Sequence, residues 1–149
     1  MIEKSLLDKA KAYLCWDCFS GLVIQLIPMT FPVSYYYPPS KKHTILIFFD
    51  PNERDFSKPL FSLFHEAGHY EQFIEMKNMG NANSFWEKID ETSGPEREAF
   101  ERDGWERGRV LLKQFLEKYK LDTKWIEYYM KLADDKIKSY SSYSSTSNR

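Results

Sequence analysis

His65-Glu66-Ala67-Gly68-His69 sets two imidazoles four residues apart, with a carboxylate beside the first. On a helix, residues i and i+4 lie one above the other on one face. Two imidazoles so placed can both reach one Zn²⁺ at about 2.0–2.1 Å. The carboxylate between them is then beside the metal and its water, whose pKa the ion lowers to about 7. The chemistry would be metal-assisted hydrolysis, with Glu66 as general base passing the proton on to a leaving amine. The bland alternative is a pair of ordinary helix histidines. With 3 histidines in 149 residues, the chain's own His and Glu frequencies give on the order of half a percent for one chance match.

The helix that must carry the pair is predicted from Ser57, as N-cap, to about Asn78, with Pro59 in its first turn where a missing N–H costs nothing. At about 100° per residue, Leu60, Leu63, Phe64, Ala67 and Ile74 form one arc, and His65 and His69 lie roughly opposite its centre. The helix can thus bury its apolar back on a sheet and turn both imidazoles to a cleft. Gly68 is a poor helix former by about 1 kcal/mol relative to Ala, which points to a close approach by another element.

A third ligand must come from elsewhere. One scheme puts it six residues after the second His, on a chain turned back by Gly. Here position 72 is Gln, and a continuing helix carries Glu75 about 9 Å further along its axis, so that scheme fails. The other scheme uses a Glu on a later helix, and the helix predicted from Pro95 offers Glu96, Glu98, Glu101 and Glu106. Phe100, Gly104, Trp105, Gly108, Leu111, Leu112, Phe115 and Leu116 fill one broad apolar arc. Glu101 lies near its middle, Glu98 at its margin, Glu96 and Glu106 outside it. A carboxylate in an apolar face needs a partner. A metal ion supplies one, and Arg97 at i−4 supplies another. Glu101 is therefore the leading third ligand, with Glu98 and Glu96 as alternatives, although Glu96 already pairs with Ser93 at capping-box spacing. Gly104 and Gly108 make a smooth strip on the same face.

Phe61-Ser-Leu-Phe-His-Glu-Ala-Gly-His-Tyr70 resembles the active helix of the ImmA/IrrE group of gluzincin-type zinc metallopeptidases, which reads F-[ST]-L-x-H-E-x-G-H-Y. A later helix of that family carries E-x-x-A-N-x-F-A-x-x-L-L. Glu101-Arg-Asp-Gly-Trp-Glu-Arg-Gly-Arg-Val-Leu-Leu112 follows its register, with Gly104 and Gly108 for the alanines, Trp105 for Asn and Arg107 for Phe. From that Asn-type position Trp105 would support a ligand through its indole N–H. The resemblance covers about residues 43–115, and the small size is also similar to the minimal gluzincins. It implies one Zn²⁺ per chain held by His65, His69 and Glu101, a zincin-like fold, peptide-bond hydrolysis, and a narrow, regulatory protein substrate. The competing reading is a non-enzymatic zinc-containing binding protein that keeps the fold and acts by contact. Intact Glu66 favours the enzyme.

The remaining elements read as follows. Residues 3–18 form an amphipathic helix and residues 20–29 a strand or extended entry. Residues 31–37 and 43–49 are two strands flanking a turn at 38–42. The Ile- and Phe-rich strand 43–49 is expected at the upper rim of the cleft, where an extended substrate adds as a further strand. A short helix opens at Ser84, the long one runs from Pro95 to about Lys120, and a last one from near Asp122 to about Tyr140. The order is α+β: one metallopeptidase-like domain over 1–140, with a short twisted sheet packed on the active-site helix, then a flexible Ser/Tyr-rich tail over 141–149. Tyr70, His43, Arg97 and the Tyr35–Tyr37 run are all available as oxyanion helpers.

With 21 Lys+Arg against 22 Asp+Glu, the net charge is −1, which argues against a coat for nucleic acid. Hydrophobic residues at 42% suffice for a core. No apolar run is long enough for a membrane span, and the mixed-charge start is wrong for a signal peptide, so a cytoplasmic address is expected; the resemblance implies a protein or peptide as its substrate. Cys15 and Cys18 form a lone C-x-x-C, which reads as packing on one helix face rather than as a metal ribbon.

Overall fold

A computed structural model describes residues 1–30, 34–37, 43–90 and 94–144. The expected turn at 38–42, the Ser93 half of the expected capping box and residues 145–149 of the expected tail lie outside them. The element order is α1 (Lys4–Ala12), β1 (Leu22–Pro28), β2 (Ser34–Tyr37), β3 (His43–Phe49), α2 (Ser57–Asn78), α3 (Ala82–Asp90), α4 (Pro95–Lys118) and α5 (Trp125–Ser144). The chain is α+β and mostly helical, and none of the described helices is long and apolar enough to cross a membrane.

The sheet has the order β1-β3-β2. β2 and β3 pair antiparallel, with Ser34 opposite Ile47 and Tyr37 opposite Thr44. β1 joins the other side of β3 in parallel, with Leu22 opposite His43 and Pro28 opposite Phe49. Strand 43–49 is therefore the central strand. β1 pairs with its full length and β2 with Thr44–Ile47, so over those four residues it is not the rim to which a substrate strand can add. Ile45, Ile47 and Phe49 alternate into the core, as a period of two requires.

α2 lies between the sheet and α4, in contact with both. It is therefore buried on both sides: Leu60, Phe61, Leu63 and Phe64 are buried, and so is every residue from His65 to Tyr70. α4 covers much of the face that carries the histidines, and what stays open of it is a narrow cleft beside His65. α5 crosses α4 near Tyr129, whose hydroxyl donates to the Trp105 carbonyl at 2.8 Å, while Phe61 packs edge-on against the Tyr129 ring.

Several boundaries differ from the sequence reading. Residues Tyr13–Cys18 form a π-helical turn instead of continuing α1; the Phe19 N–H reaches back to the Leu14 carbonyl at 2.8 Å. The wider turn lets the neighbours Tyr13 and Leu14 both enter the core. Ser57 is the first residue of α2, not its cap. The cap position is Phe56, which makes no side-chain cap bond; Asp55 before it accepts from the Ser57 N–H at 3.1 Å and its hydroxyl at 3.0 Å, and also from the Ile2 N–H at 3.0 Å. α3 opens at Ala82, two residues before Ser84. α4 is preceded by Gly94 at φ 105°, a left-handed conformation that favours glycine, and Pro95 starts the helix. α5 runs to Ser144, four residues past its expected end.

Candidate metal centre

α2 and α4 come together through glycines. A methyl group on Gly68 would overlap the carbonyl oxygen of Gly104 and lie 2.9 Å from the Gly108 nitrogen. One on Gly104 would lie 2.6 Å from Cε1 of His69, and one on Gly108 would lie 2.5 Å from the Phe64 carbonyl oxygen. The close approach read from Gly68 and the smooth strip read from Gly104 and Gly108 are two sides of one contact. It brings the second half of the H-E-x-x-H against the middle of α4.

His65, His69 and Glu101 converge there, and they form the only group of three metal-ligating side chains found among the described residues. The two Nε2 atoms are 3.1 Å apart, and Oε2 of Glu101 lies 3.2 Å from each. In a tetrahedral site with 2.0–2.1 Å bonds, donors are separated by about 3.3–3.4 Å. The three atoms thus already trace one face of such a tetrahedron, and a buried cluster of this kind can hold a metal ion. Glu98 instead pairs with Arg102 at 3.0 Å, Glu106 pairs with Arg109, and Glu96 is exposed. None of these three enters the cluster.

Both readings of Glu101 hold at once, on different oxygens. Oε2 faces the imidazoles, and Oε1 accepts from Nη2 of Arg97 at 2.6 Å. Arg97 also donates to the carbonyls of Lys88 and Ile89, at 3.2 and 2.5 Å. The end of α3 thereby anchors the guanidinium that orients the carboxylate. His69 is held in the same manner by a residue the sequence reading passed over. Its Nδ1 lies 2.6 Å from Oε1 of Gln72, which can only accept. Nδ1 therefore carries a proton, and Nε2 is the atom that faces the centre. Gln72 is itself fixed by donating to the Phe100 carbonyl at 3.0 Å and to Asp103 at 2.7 Å. Partners of this kind set the tautomer and angle of a ligating histidine.

The rings are also clamped by stacking. Trp105 lies on His65 with centroids 4.0 Å apart and planes 16° from parallel, and Phe100 lies on His69 at 5.0 Å and 20°. Trp105 supports its ligand through its ring face, not through the indole N–H; that N–H is not what touches His65.

Exposure is 8% at His65, 7% at Glu66, 4% at His69 and 3% at Glu101. Burial lowers the His65 pKa to about 4, helped by the neighbouring His69, so this ring is neutral near pH 7. Burial also works against a charged His69, but Glu101 outweighs it and raises the pKa. Burial pushes Glu101 up, yet the His69 charge and the hydrogen bonds from both rings outweigh it and hold the carboxyl well below the usual range. An anionic carboxylate and a neutral imidazole are the forms that bind a metal, so Glu101 and His65 are already in that form and His69 would give up its Nε2 proton to an ion.

A cleft of about 430 Å³ opens on this group. His65, Glu66, Glu101 and Trp105 form its floor, Phe48 and the start of α2 one wall, and Leu132, Lys136 and Tyr140 of α5 the other. Tyr140 is a second residue that sequence reasoning missed. Its ring lies over the Arg97 guanidinium at 5.5 Å, and burial, with the Glu101 charge, raises the pKa of its phenol. Of the four oxyanion helpers considered, Arg97 binds Glu101. Tyr70 and His43 pack on each other at 5.1 Å, and neither borders the cleft. The side chains of Tyr35–Tyr37 lie outside the described set.

Cys15 and Cys18 are free and half-buried. Burial pushes both thiols up, the opposite of what a reactive thiolate needs. No family model matches the chain, and neither a curated protein nor a solved structure matches it.

Proposed function

We propose that the chain is a zinc-dependent peptidase, of the kind its H-E-x-x-H stretch resembles among the ImmA/IrrE gluzincins, acting in a narrow cleft on a protein substrate. The observation that carries this reading is the convergence of His65 Nε2, His69 Nε2 and Glu101 Oε2 to within 3.2 Å of one another, with Glu66 on the same cleft. Structural zinc sites close with four protein ligands, whereas catalytic ones combine three with an open position. Two imidazoles and one carboxylate are such an open set.

A zinc ion held by these three residues would supply Lewis-acid polarisation of a carbonyl and would make a water a ready proton donor near neutral pH. Glu66 takes the proton from the attacking water and hands it to the departing amine nitrogen. Its place next to His65 in sequence keeps it beside the metal ligands while leaving it out of the donor triangle. Tyr140 brings a phenolic O–H to the opposite wall, where it can donate to the oxygen on which charge develops. Trp105, Leu132 and Phe48 line the cleft with apolar surface that limits water. α5 lies along one side, and a chain entering the cleft must fit between it and the start of α2.

Removing the metal is the test. Zinc-loaded protein should cut an unfolded protein mixture at new sites, identified by labelling the freed N-termini. Chelation to well under one zinc per chain should stop the cutting, and added zinc should restore it. Cutting that continues unchanged in the metal-free protein would overturn the reading.

A further inference from the structure

We propose that this cleft selects chains carrying an acidic side chain two to three residues from the bond cut, through Lys58 and Lys136. The proposal rests on the peptidase reading for its reference point, the bond at the metal.

The two lysines reach one cleft from different elements, Lys58 from the first turn of α2 and Lys136 from α5. Unpaired surface lysines are common. These two differ in flanking the same hollow as a buried ligand set, and neither makes an ion pair with a described residue. Among the described residues, the only carboxylates in the lining are Glu66 and Glu101. A divalent cation in the centre would balance both, and the two ammonium groups then leave the cleft net positive.

Helix geometry gives the position. Lys58, Ser62 and His65 stand at i, i+4 and i+7, on one face of α2. Lys58 is two turns from His65, about 10.5 Å along the axis. An extended chain advances about 3.3 Å per residue, so Lys58 meets a side chain about three residues from the metal. On the facing wall Lys136 is one turn from Tyr140, about 6 Å nearer the start of α5. Its ammonium would add a second positive charge to the same stretch of the cleft. Lys58 stands at the boundary where the surface changes sign: it also lines the adjoining hollow, with Asp50, Glu53 and Asp55. The acidic preference therefore ends there.

Zinc-loaded Glu66→Gln protein would be mixed with fluorescent alanine-based peptides carrying Glu, Gln or Lys at each position in turn. Peptides with Glu at the favoured position should bind about tenfold more tightly than those with Gln, the size two partly screened ion pairs allow, and the difference should shrink at high salt. Lys58→Glu with Lys136→Glu should reverse the order to favour Lys. Lys131→Glu, on α5 but not in the lining, should leave it unchanged. Equal binding of the three peptides, an order unaffected by the double reversal, or no binding at all overturns the proposal. Zinc-loaded wild type that binds the Glu peptides but leaves them whole sinks the peptidase reading and keeps the acidic preference; cutting without preference does the reverse.

Discussion

Glu66→Gln should keep its zinc and lose its hydrolysis. The substitution removes one charge and almost no volume, and Glu66 is not among the three converging donors. Metal content should stay near that of the wild type. The rate of peptide cleavage should fall by about 10²–10⁴-fold, the usual worth of a positioned general base. The Gln amide can still hydrogen-bond the attacking water, so substrate binding should change little and the loss should fall on kcat. Stopped or discontinuous assays on one peptide, with zinc measured on the same sample, read both quantities. Undiminished cleavage would remove Glu66 from the chemistry. Loss of zinc would place it among the ligands.

The second large effect concerns the glycines of the α2–α4 contact. At an exposed helix position Gly→Ala stabilises by about 1 kcal/mol. At Gly68 the sign should reverse. The new methyl group would collide with the Gly104 carbonyl oxygen, a backbone atom that cannot move unless the helices part. Overpacking of this kind costs typically 1–3 kcal/mol, and here the parting also separates Glu101 from the imidazoles. Gly68→Ala should lower Tm by several degrees and weaken zinc binding together. Gly104→Ala presses on a side chain, the His69 ring at 2.6 Å. It should lose zinc affinity by about 10–100-fold, as when a ligand's supporting contacts are disturbed, with a smaller change in Tm. Thermal melts with and without zinc, beside a chelator competition, separate the two variants. A Gly68→Ala protein more stable than wild type would show that the helices do not meet as closely as described.

Much of this site was legible in the chain because its signals are local and periodic. The imidazole spacing states its own geometry once a helix is granted. Glu101 stood out because a carboxylate in the middle of an apolar arc requires a partner, and Gly68, Gly104 and Gly108 marked a close crossing before its partner helix was known. What stayed hidden depends on contacts between distant residues. Gln72 looked like a gap in a ligand scheme, and only the fold reveals its amide 2.6 Å from His69 Nδ1. Tyr140 lies at the end of a helix whose packing direction no periodicity gives. The parallel pairing of β1 with β3 is likewise a long-range choice, and it turned an expected rim strand into the sheet's centre. The helix starts were misjudged for a subtler reason. Ser57 has the right chemistry for a cap, but Asp55 two residues earlier also binds the Ile2 N–H, a tie to the start of the chain that local sequence cannot express.

The most direct test of the account is the zinc K-edge absorption spectrum of the purified protein. Two imidazole nitrogens and one carboxylate oxygen at about 2.0–2.2 Å, with a further light-atom ligand and no sulfur, are the expected first shell. A sulfur shell at about 2.3 Å, which would place the ion on Cys15 and Cys18, or a protein that binds no zinc at all, would contradict it.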